Sequence, residues 1–116
     1  GEKSGNIIYI SSMWGLDGAS CESVYSATKA GIIAFSKALS RELGPSNIRV
    51  NTICPGFIDT KMNSNLSAEE REEFICQIPL MRAGMPSDIA DLVIFLINKK
   101  AGYITGANIK VDGGYI

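Results

Sequence analysis

The sequence predicts an α/β fold in which short strands form a parallel sheet and helices pack against it. Three short runs, residues 6–11, 48–54 and 108–112, are rich in β-branched and apolar side chains, and each is followed by a polar or glycine-containing turn. Longer segments with helical periodicity separate the runs. Strands that alternate with helices are typical of parallel sheets, because a chain that returns to the same end of a sheet needs a crossover. We therefore expect one domain built from βαβ units.

The first strand and the turn after it place polar groups at one end of the sheet. Residues 6–11 are apolar at almost every position, as in a strand covered on both faces. The segment from Ser12 to Ser23 contains Gly15, Asp17 and Gly18, which predicts a loop. Serine and acidic side chains are therefore expected just beyond the carboxyl end of this strand.

A long amphipathic helix is predicted over residues 24–43. Small and aliphatic residues recur on one side, which predicts the buried side, and serine and charged residues occupy the others. The residues predicted on the first side are Ala27, Ala30, Ile33 or Ala34, Ala38 and Leu39, and those predicted on the others are Ser26, Lys37, Arg41 and Glu42. Gly44 and Pro45 predict the end of the helix, because glycine accepts the left-handed conformation and proline cannot continue the helical hydrogen bonds.

The second strand, residues 48–54, completes a βαβ unit. It ends at Pro55-Gly56. Since a crossover of this kind joins parallel neighbours, the loops after the two strands lie at the same edge of the sheet. We expect the Ser12 loop and the Pro55 loop to face one ligand.

Two shorter helices and a last strand are predicted in the second half. Ser67 and Glu70 form a capping box, which predicts a charged helix that runs to about Gln77. A cap at or near Ser87 predicts an apolar helix over residues 88–98. Residues 108–112 then form the third strand.

Composition excludes several classes of protein. The 116 residues are 46% hydrophobic, and 11 basic residues nearly balance 12 acidic ones, so neither wholesale disorder nor a nucleic-acid surface is expected. The longest apolar stretches, residues 30–35 and 92–97, are far shorter than the roughly 18 residues of a membrane-spanning helix. The chain has no histidine, which excludes a Ser-His-Asp triad and every histidine-based metal site, and we expect no metal.

Cysteine usage and the first residues bear on cellular context. Cys21, Cys54 and Cys76 are odd in number and widely spaced, which favours reduced, partly buried thiols in a cytoplasmic protein. The opening Gly-Glu-Lys-Ser-Gly has neither an initiator methionine nor an apolar signal core. We therefore expect the chain to begin inside a longer protein.

Tyr25 and Lys29 are the residues with the clearest chemical potential. They are four apart on the predicted helix, so the phenol and the ammonium lie on one face about a turn from each other. A neighbouring cation favours the phenolate form, which suits a tyrosine to proton exchange. Composition alone gives roughly 0.2 such spacings in a chain of this length, so a chance pair on a solvated face remains the alternative.

Ser12 and the Pro55 turn accompany this pair. Ser12 lies at the carboxyl end of the first strand, where its hydroxyl could bond a substrate oxygen or simply cap a turn. The turn after the second strand, residues 55–60, could hold a ligand amide through backbone groups or be an ordinary strand exit.

In this order and at these separations, the motifs closely resemble the carboxyl-terminal half of the short-chain dehydrogenase/reductase family. The resemblance spans essentially all 116 residues. It rests on Ser12, the Tyr-x-x-x-Lys of Tyr25 and Lys29, the run Asn-Thr-Ile-Cys-Pro-Gly at residues 51–56, Thr60, Tyr-Ile-Thr-Gly at residues 103–106 and Val-Asp-Gly-Gly at residues 111–114. It implies a partial Rossmann-type, three-layer αβα fold with the last three strands of a seven-stranded doubly wound sheet. Residues 1–116 would then be the carboxyl-terminal half of one domain, without its amino-terminal cofactor-binding half and the Gly-rich turn and catalytic Asn found there.

The resemblance also implies an activity and its residues. It implies an NAD(P)H-dependent oxidoreductase, with NADP favoured and NAD possible, that reduces a ketone to a secondary alcohol. Tyr25 would donate the proton, Ser12 would orient the carbonyl oxygen, and Lys29 would assist Tyr25 and bond the nicotinamide ribose. The remaining cofactor-binding residues would be Tyr25 itself with Pro55, Gly56, Ile58 and Thr60.

Within the family, the chain is most similar to 3-oxoacyl-acyl-carrier-protein reductases of fatty acid synthesis. The similarity lies in residues 30–32, 55–60 and 78–82. Such enzymes commonly place a basic residue before the second strand, where this chain has Ser46, with Arg49 as the neighbouring cation.

A different loop supports an alternative within the same family. Residues 12–15 with residues 18–22 resemble a subgroup proposed to reduce a 5-aminopentanone group on a translation elongation factor. Glu22 could meet a substrate amine there, although a solvated carboxylate is the simpler interpretation. Trp14 and Cys21 could equally pack the loop, Cys21 as a small buried filler.

A third hypothesis is a catalytically silent module that only self-associates. Family members usually form dimers or tetramers through the helix near Tyr25 and the last helix and strand, so we expect a homo-oligomer. The expected partners are a ketone, small or carried on an acyl carrier protein, with no nucleic acid and no membrane. The 116 residues alone are expected to be inactive, with an exposed sheet edge.

Overall fold

The strands form one parallel sheet. A computed structural model describes residues 4–116, and the opening residues 1–3 lie outside the described part. The strands are β1 (Gly5–Ile10), β2 (Ile48–Pro55) and β3 (Asn108–Val111), in the order β1-β2-β3. Ile7 pairs with Val50 and Ile53 with Ile109, both in parallel register. The predicted α/β class with a parallel sheet is confirmed.

Within residues 4–116, four α-helices connect and cover the strands. They are α1 (Met13–Leu16), α2 (Ser23–Leu43), α3 (Ala68–Cys76) and α4 (Pro86–Ile97). Single 3₁₀ turns occur at Gly44–Ser46, Lys61–Asn63 and Lys99–Ala101. The crossover from β1 to the parallel strand β2 runs through the short helix α1 and the long helix α2, so these elements form the predicted βαβ unit.

Three local predictions are wrong. The segment after Ser12 is not a continuous loop, because α1 forms there with Ser12 as its N-cap. Helix α4 begins at Pro86 rather than Asp88, and Met85 rather than Ser87 is its N-cap, since the Asp88 side chain reaches back to the Met85 N–H. Helix α2 ends at Leu43 as predicted, but Gly44 keeps a right-handed conformation and Asn47 takes the left-handed one, with φ 59°.

The buried side of α2 also differs from the prediction. Ser26, Ser36 and Ser40 are its buried residues, the alanines at positions 27, 30, 34 and 38 are exposed, and Ile33 and Leu39 are half-buried. The serines can be buried because their hydroxyls are bonded within the protein: Ser36 Oγ donates to Ile33 O at 3.0 Å and Ser40 Oγ to Lys37 O at 2.6 Å. Small side chains let α2 approach β2 closely, where Ser36 contacts Thr52 through a hydrogen bond.

Strand β2 is the centre of the core. Five consecutive residues from Val50 to Cys54 are at most 1% exposed. Asn51 is polar at this depth because both ends of its amide are bonded. Its Nδ2 donates to Ile104 O at 3.1 Å and its Oδ1 accepts from Ala107 N–H at 3.0 Å. These two bonds hold the segment just before β3 against β2.

Within residues 4–116, β1 pairs along only one of its edges. No helix in this range is long and apolar enough to cross a membrane.

Asp88 makes stability at the start of α4 depend on pH. Its Oδ2 lies 3.0 Å from Arg82 Nη1 and 2.7 Å from the donating Met85 N. The hydrogen bond from Arg82, followed by that from Met85, holds the pKa of the Asp88 carboxyl below its usual value. A carboxyl with a lowered folded-state pKa stabilises the fold above its unfolded pKa, and this contribution is lost as pH falls through the folded pKa.

We therefore expect Asp88→Asn to lower the Tm of the intact protein at pH 7, and we expect this effect to fade as the pH falls below about 4, the usual pKa of an aspartate. Thermal denaturation followed by circular dichroism across this range measures it. Asp91→Asn is the matched control, because Asp91 is an exposed carboxylate of the same helix and takes part in neither ion pair of the described residues. A Tm difference of full size at pH 2 would contradict the assignment.

Candidate active site

A cleft lies beyond the carboxyl ends of β1 and β2. Its volume is about 860 Å³. Every residue that the sequence predicted for catalysis or cofactor binding lines it: Ser12, Tyr25, Lys29, Pro55, Gly56, Ile58 and Thr60. The parallel pairing of β1 with β2 is what brings the two loops together.

Tyr25 and Lys29 lie on the first two turns of α2. The Lys29 Nζ atom is 5.5 Å from the centroid of the Tyr25 ring. Tyr25 is 43% exposed, so its phenol is accessible from the cleft. The cleft therefore has a phenol hydroxyl and an ammonium group side by side in its lining.

Ser12 joins the site from the end of β1. Its Oγ accepts a hydrogen bond from Trp14 N–H at 3.1 Å, which makes Ser12 the N-cap of α1. Capping a turn and binding a substrate oxygen, which were alternatives in the sequence, are compatible in this geometry. The oxygen accepts from Trp14, and the hydroxyl proton remains available for donation to a ligand.

The loop after β2 presents backbone groups to the cleft. Ile58 forms a parallel bridge with Gly84 in which Phe57 O accepts from Gly84 N–H and Asp59 N–H donates to Gly84 O. Because adjacent peptide groups of an extended chain point in opposite directions, the N–H and C=O of Ile58 point away from Gly84. Asn63 Nδ2 donates to Ile58 O on that side.

The Ile58 N–H and the Thr60 hydroxyl have no hydrogen-bond partner among residues 4–116. The Ile58 N–H can donate to the C=O of a carboxamide, and the Thr60 hydroxyl oxygen can accept from its NH₂. The chemistry of this loop therefore fits a nicotinamide cofactor.

A wall of four packed aromatic side chains borders the cleft, and three of them, Trp14, Phe57 and Phe74, line it. Phe74 of α3 stacks on Phe57 at a centroid distance of 4.8 Å and on Tyr115 at 4.9 Å, and Tyr115 meets Trp14 edge to face at 5.6 Å. Sequence reasoning missed this wall, because its members come from four distant segments and no local spacing connects them.

Helix α3 is held over the cleft by an ion pair. Arg71 Nη2 lies 3.1 Å from Asp59 Oδ2, and the Arg71 guanidinium lies over the Phe57 ring at 5.6 Å. The predicted capping box is present, with Ser67 Oγ accepting from Glu70 N–H and Glu70 accepting from Ser67 N–H. These contacts connect α3 to the loop that presents Ile58.

The cysteines and Glu22 occupy distinct environments. Cys21 and Cys76 are exposed, so the expectation that Cys21 is a buried filler is wrong; Cys21 takes a left-handed conformation with φ 67°. Cys54 is buried beneath the site, and this burial raises the pKa of its thiol. Glu22 is exposed and lines the cleft near Tyr25. Among the described residues, no three acidic or cysteine side chains form a group that could hold a metal ion.

Comparisons with known proteins decide the family. The sequence model of the family described as enoyl-(acyl carrier protein) reductase matches residues 1–116. A crystal structure from Brucella melitensis titled short-chain dehydrogenase/reductase, glucose/ribitol dehydrogenase, is 40% identical to this chain, with a TM-score of 0.89 over 96% of this chain and 45% of that one. The chain belongs to the short-chain dehydrogenase/reductase family. The family resemblance seen in the sequence and the Rossmann-type fold that it implied are both confirmed.

Other members of this family match at similar levels. The 3-oxoacyl-acyl-carrier-protein reductase FabG of Chlamydia trachomatis is 52% identical over 112 residues, which are 97% of this chain and 45% of the relative. An uncharacterized oxidoreductase of Bacillus subtilis, YmfI, is 47% identical over 113 residues, 97% of this chain and 47% of the relative. The chain thus spans about half the length of the curated relatives that it matches.

Proposed function

We propose that the intact protein is an NADP-dependent reductase that converts a 3-oxoacyl group on an acyl carrier protein into the 3-hydroxyacyl group, with residues 1–116 as the carboxyl-terminal half of its single domain. One observation carries the proposal: Ser12, Tyr25 and Lys29 line one cleft together with a loop whose free donors fit a carboxamide. The name of the Chlamydia trachomatis relative supports the choice of substrate.

The residues divide the reaction between them. The Ser12 hydroxyl donates a hydrogen bond to the ketone oxygen and polarises the carbonyl. As a hydride reaches the carbonyl carbon, the Tyr25 hydroxyl transfers its proton to the oxygen, and a C–H bond and an O–H bond replace the C=O π bond. The resulting phenolate is stabilised by the Lys29 ammonium until a solvent proton restores the phenol.

The cofactor supplies the hydride. The Ile58 backbone and the Thr60 hydroxyl would hold its carboxamide, with Pro55 and Gly56 shaping the turn, and Lys29 and Tyr25 would reach its ribose. The groups that bind the pyrophosphate and select NADP over NAD belong to the amino-terminal half in this proposal.

Two partner proposals accompany this function. Arg49, the cation nearest the second strand's start, is directed inward: its Nη1 donates to Ile104 O at 3.1 Å and its Nη2 to Leu96 O at 2.5 Å. An acidic carrier protein would therefore dock on other residues. We also propose a homo-oligomer, because Val24 and Phe35 of α2 and Ile94 and Ile97 of α4 are each more than half exposed and apolar.

Glu22 favours a second candidate substrate. Its carboxylate at the edge of the cleft would pair with a cationic amine, as in an aminoketone such as the 5-aminopentanone group. An acyl chain has no positive charge, so a 3-oxoacyl substrate would make no ion pair with Glu22.

The kcat/KM values for the two substrates distinguish the two candidate functions. We expect the intact protein to reduce acetoacetyl groups on acyl carrier protein with NADPH, and Glu22→Gln to leave its kcat/KM within about twofold. If 5-amino-2-pentanone is instead the better substrate, Glu22→Gln should lower its kcat/KM at least about tenfold, because an ion pair is lost. NADPH oxidation at 340 nm measures both. No reduction of either ketone and no NADPH binding would leave self-association as the function.

A further inference from the structure

The proposed catalytic groups lie on two separate elements. Ser12 follows β1, whereas Tyr25 and Lys29 belong to α2. The helix itself fixes the spacing of Tyr25 and Lys29, because they are one turn apart. The distance from Ser12 to Tyr25 depends instead on how α2 packs against the chain that follows β1. A contact that fixes this packing would control the alignment of the two hydroxyls.

We propose that Ser11 is the positioning residue that sets this alignment, a proposal that rests on the function proposed above. Ser11 Oγ donates a hydrogen bond to Lys29 O at 2.7 Å, and the residue is only 4% exposed. Its N–H donates to Ile53 O at 2.8 Å, which fixes its backbone to β2. Ser11 thus bonds to the backbone of Lys29 and is the chain neighbour of Ser12.

Gly15 confines the Ser11 hydroxyl from the other side. A Cβ at Gly15 would lie 2.8 Å from Ser11 Oγ, 2.9 Å from the carbonyl carbon of Lys29 and 3.0 Å from Ile33 Cδ1. Gly15 is itself held by its N–H, which donates to Ser12 O at 2.9 Å. A methyl group at Gly15 would therefore collide with the Ser11 hydroxyl and with the backbone of α2, so α1 packs closely against this hydrogen bond.

The hydrogen bond is not needed to complete helix α2. Lys29 lies in the interior of α2, where its carbonyl already accepts a helical N–H from the following turn. The bond from Ser11 is an additional one that joins two elements. Its loss is expected to leave α2 folded but less firmly placed against Ser12, and a misplacement of about 1 Å can lower a rate about 100-fold.

A double-mutant cycle in the intact protein tests the proposal. We expect Ser11→Ala to lower kcat for ketone reduction about 30-fold while the Kd for NADPH stays within about twofold. In a Ser12→Ala background, Ser11→Ala should lower kcat by no more than about twofold, because the hydroxyl that it aligns is gone. Ser11→Cys, which keeps a weak S–H donor, should give an intermediate kcat.

Two matched controls separate alignment from general loss of packing. Ser40→Ala removes another buried serine hydroxyl that donates to a lysine carbonyl of α2, Lys37 O at 2.6 Å, and should keep kcat near the parent value. Gly15→Ala should lower kcat, whereas Gly18→Ala should not, because a Cβ at Gly18 meets no atom within 4 Å.

The possible failures are distinguishable. An equal loss of kcat from Ser11→Ala in both backgrounds, or no loss in either, overturns the positioning role. A Ser12→Ala variant with the parent kcat overturns the proposed function itself, whatever Ser11 does.

Discussion

Replacing Tyr25 by phenylalanine in the intact protein is expected to lower kcat for ketone reduction about 1,000-fold, because the proton donor is lost and no neighbouring group can replace it. The aliphatic hydroxyl of Ser12 is a much weaker acid than a phenol, and the Lys29 Nζ lies on the ring side of the tyrosine at 5.5 Å from its centroid. The phenyl ring fills the same space, so the fold and the cleft should persist. Steady-state NADPH oxidation with an acetoacetyl thioester measures the loss.

Cofactor binding distinguishes this chemical role from a structural one. The Kd for NADPH, followed by nicotinamide fluorescence, should change by less than about threefold in Tyr25→Phe, because Lys29 and the Ile58 loop remain. Tyr103→Phe is the matched control, since Tyr103 is fully exposed and lies outside the cleft. A parallel loss of NADPH affinity and kcat in Tyr25→Phe would identify Tyr25 as a structural residue.

Much of this fold could be predicted because its signals are local. Short apolar runs bounded by turns gave all three strands to within a residue, and the parallel pairing followed from their alternation with helices. The placement of Ser12, Tyr25 and Ile58 in one cleft then followed from topology, since parallel neighbours present their carboxyl ends at one edge.

The errors arose where tertiary contacts override local preference. Alanines predicted the buried side of α2, but serines occupy it, because their hydroxyls bond to helix carbonyls and to Thr52 of β2. Helix α1 was missed because four residues carry too little periodicity to detect. Helix α4 starts earlier than predicted because the Asp88 side chain accepts a hydrogen bond from the Met85 N–H. In the sequence alone, Ser87 is an equally suitable N-cap.

The contact between Ser11 and Lys29 shows the same limit within the site. The sequence places Ser11 in the first strand and gives no reason to connect it with a residue 18 positions later. Only the packing of α1 on α2 brings the hydroxyl to that carbonyl. Residues that align a site are therefore harder to predict than residues that react, because their signal lies in distances between elements.

Gly56 is the second position where a single methyl group is expected to have a large effect. A Cβ there would lie 2.6 Å from Asp112 Cβ, 2.8 Å from Asp112 Cα and 3.3 Å from Met13 Sδ. Asp112 cannot retreat easily, because its carboxylate accepts from Gly114 N–H and Ile116 N–H, both at 3.0 Å. The Gly56 N–H also donates to Val111 O at 2.9 Å, so both backbone segments are fixed where the methyl group would enter.

Gly56→Ala is therefore expected to lower the free energy of unfolding of the intact protein by about 3 kcal/mol, the upper part of the range for overpacked sites. Because Gly56 begins the loop that presents Ile58 and Thr60, the KM for NADPH should also rise at least about tenfold. Urea denaturation and steady-state kinetics measure the two effects. Gly44→Ala is the control, since a Cβ there meets no atom within 4 Å and the residue is right-handed. If Gly56→Ala retained the parent stability but lost NADPH affinity, the close approach to Asp112 would not be what requires glycine, and contact with the cofactor itself would be the better explanation.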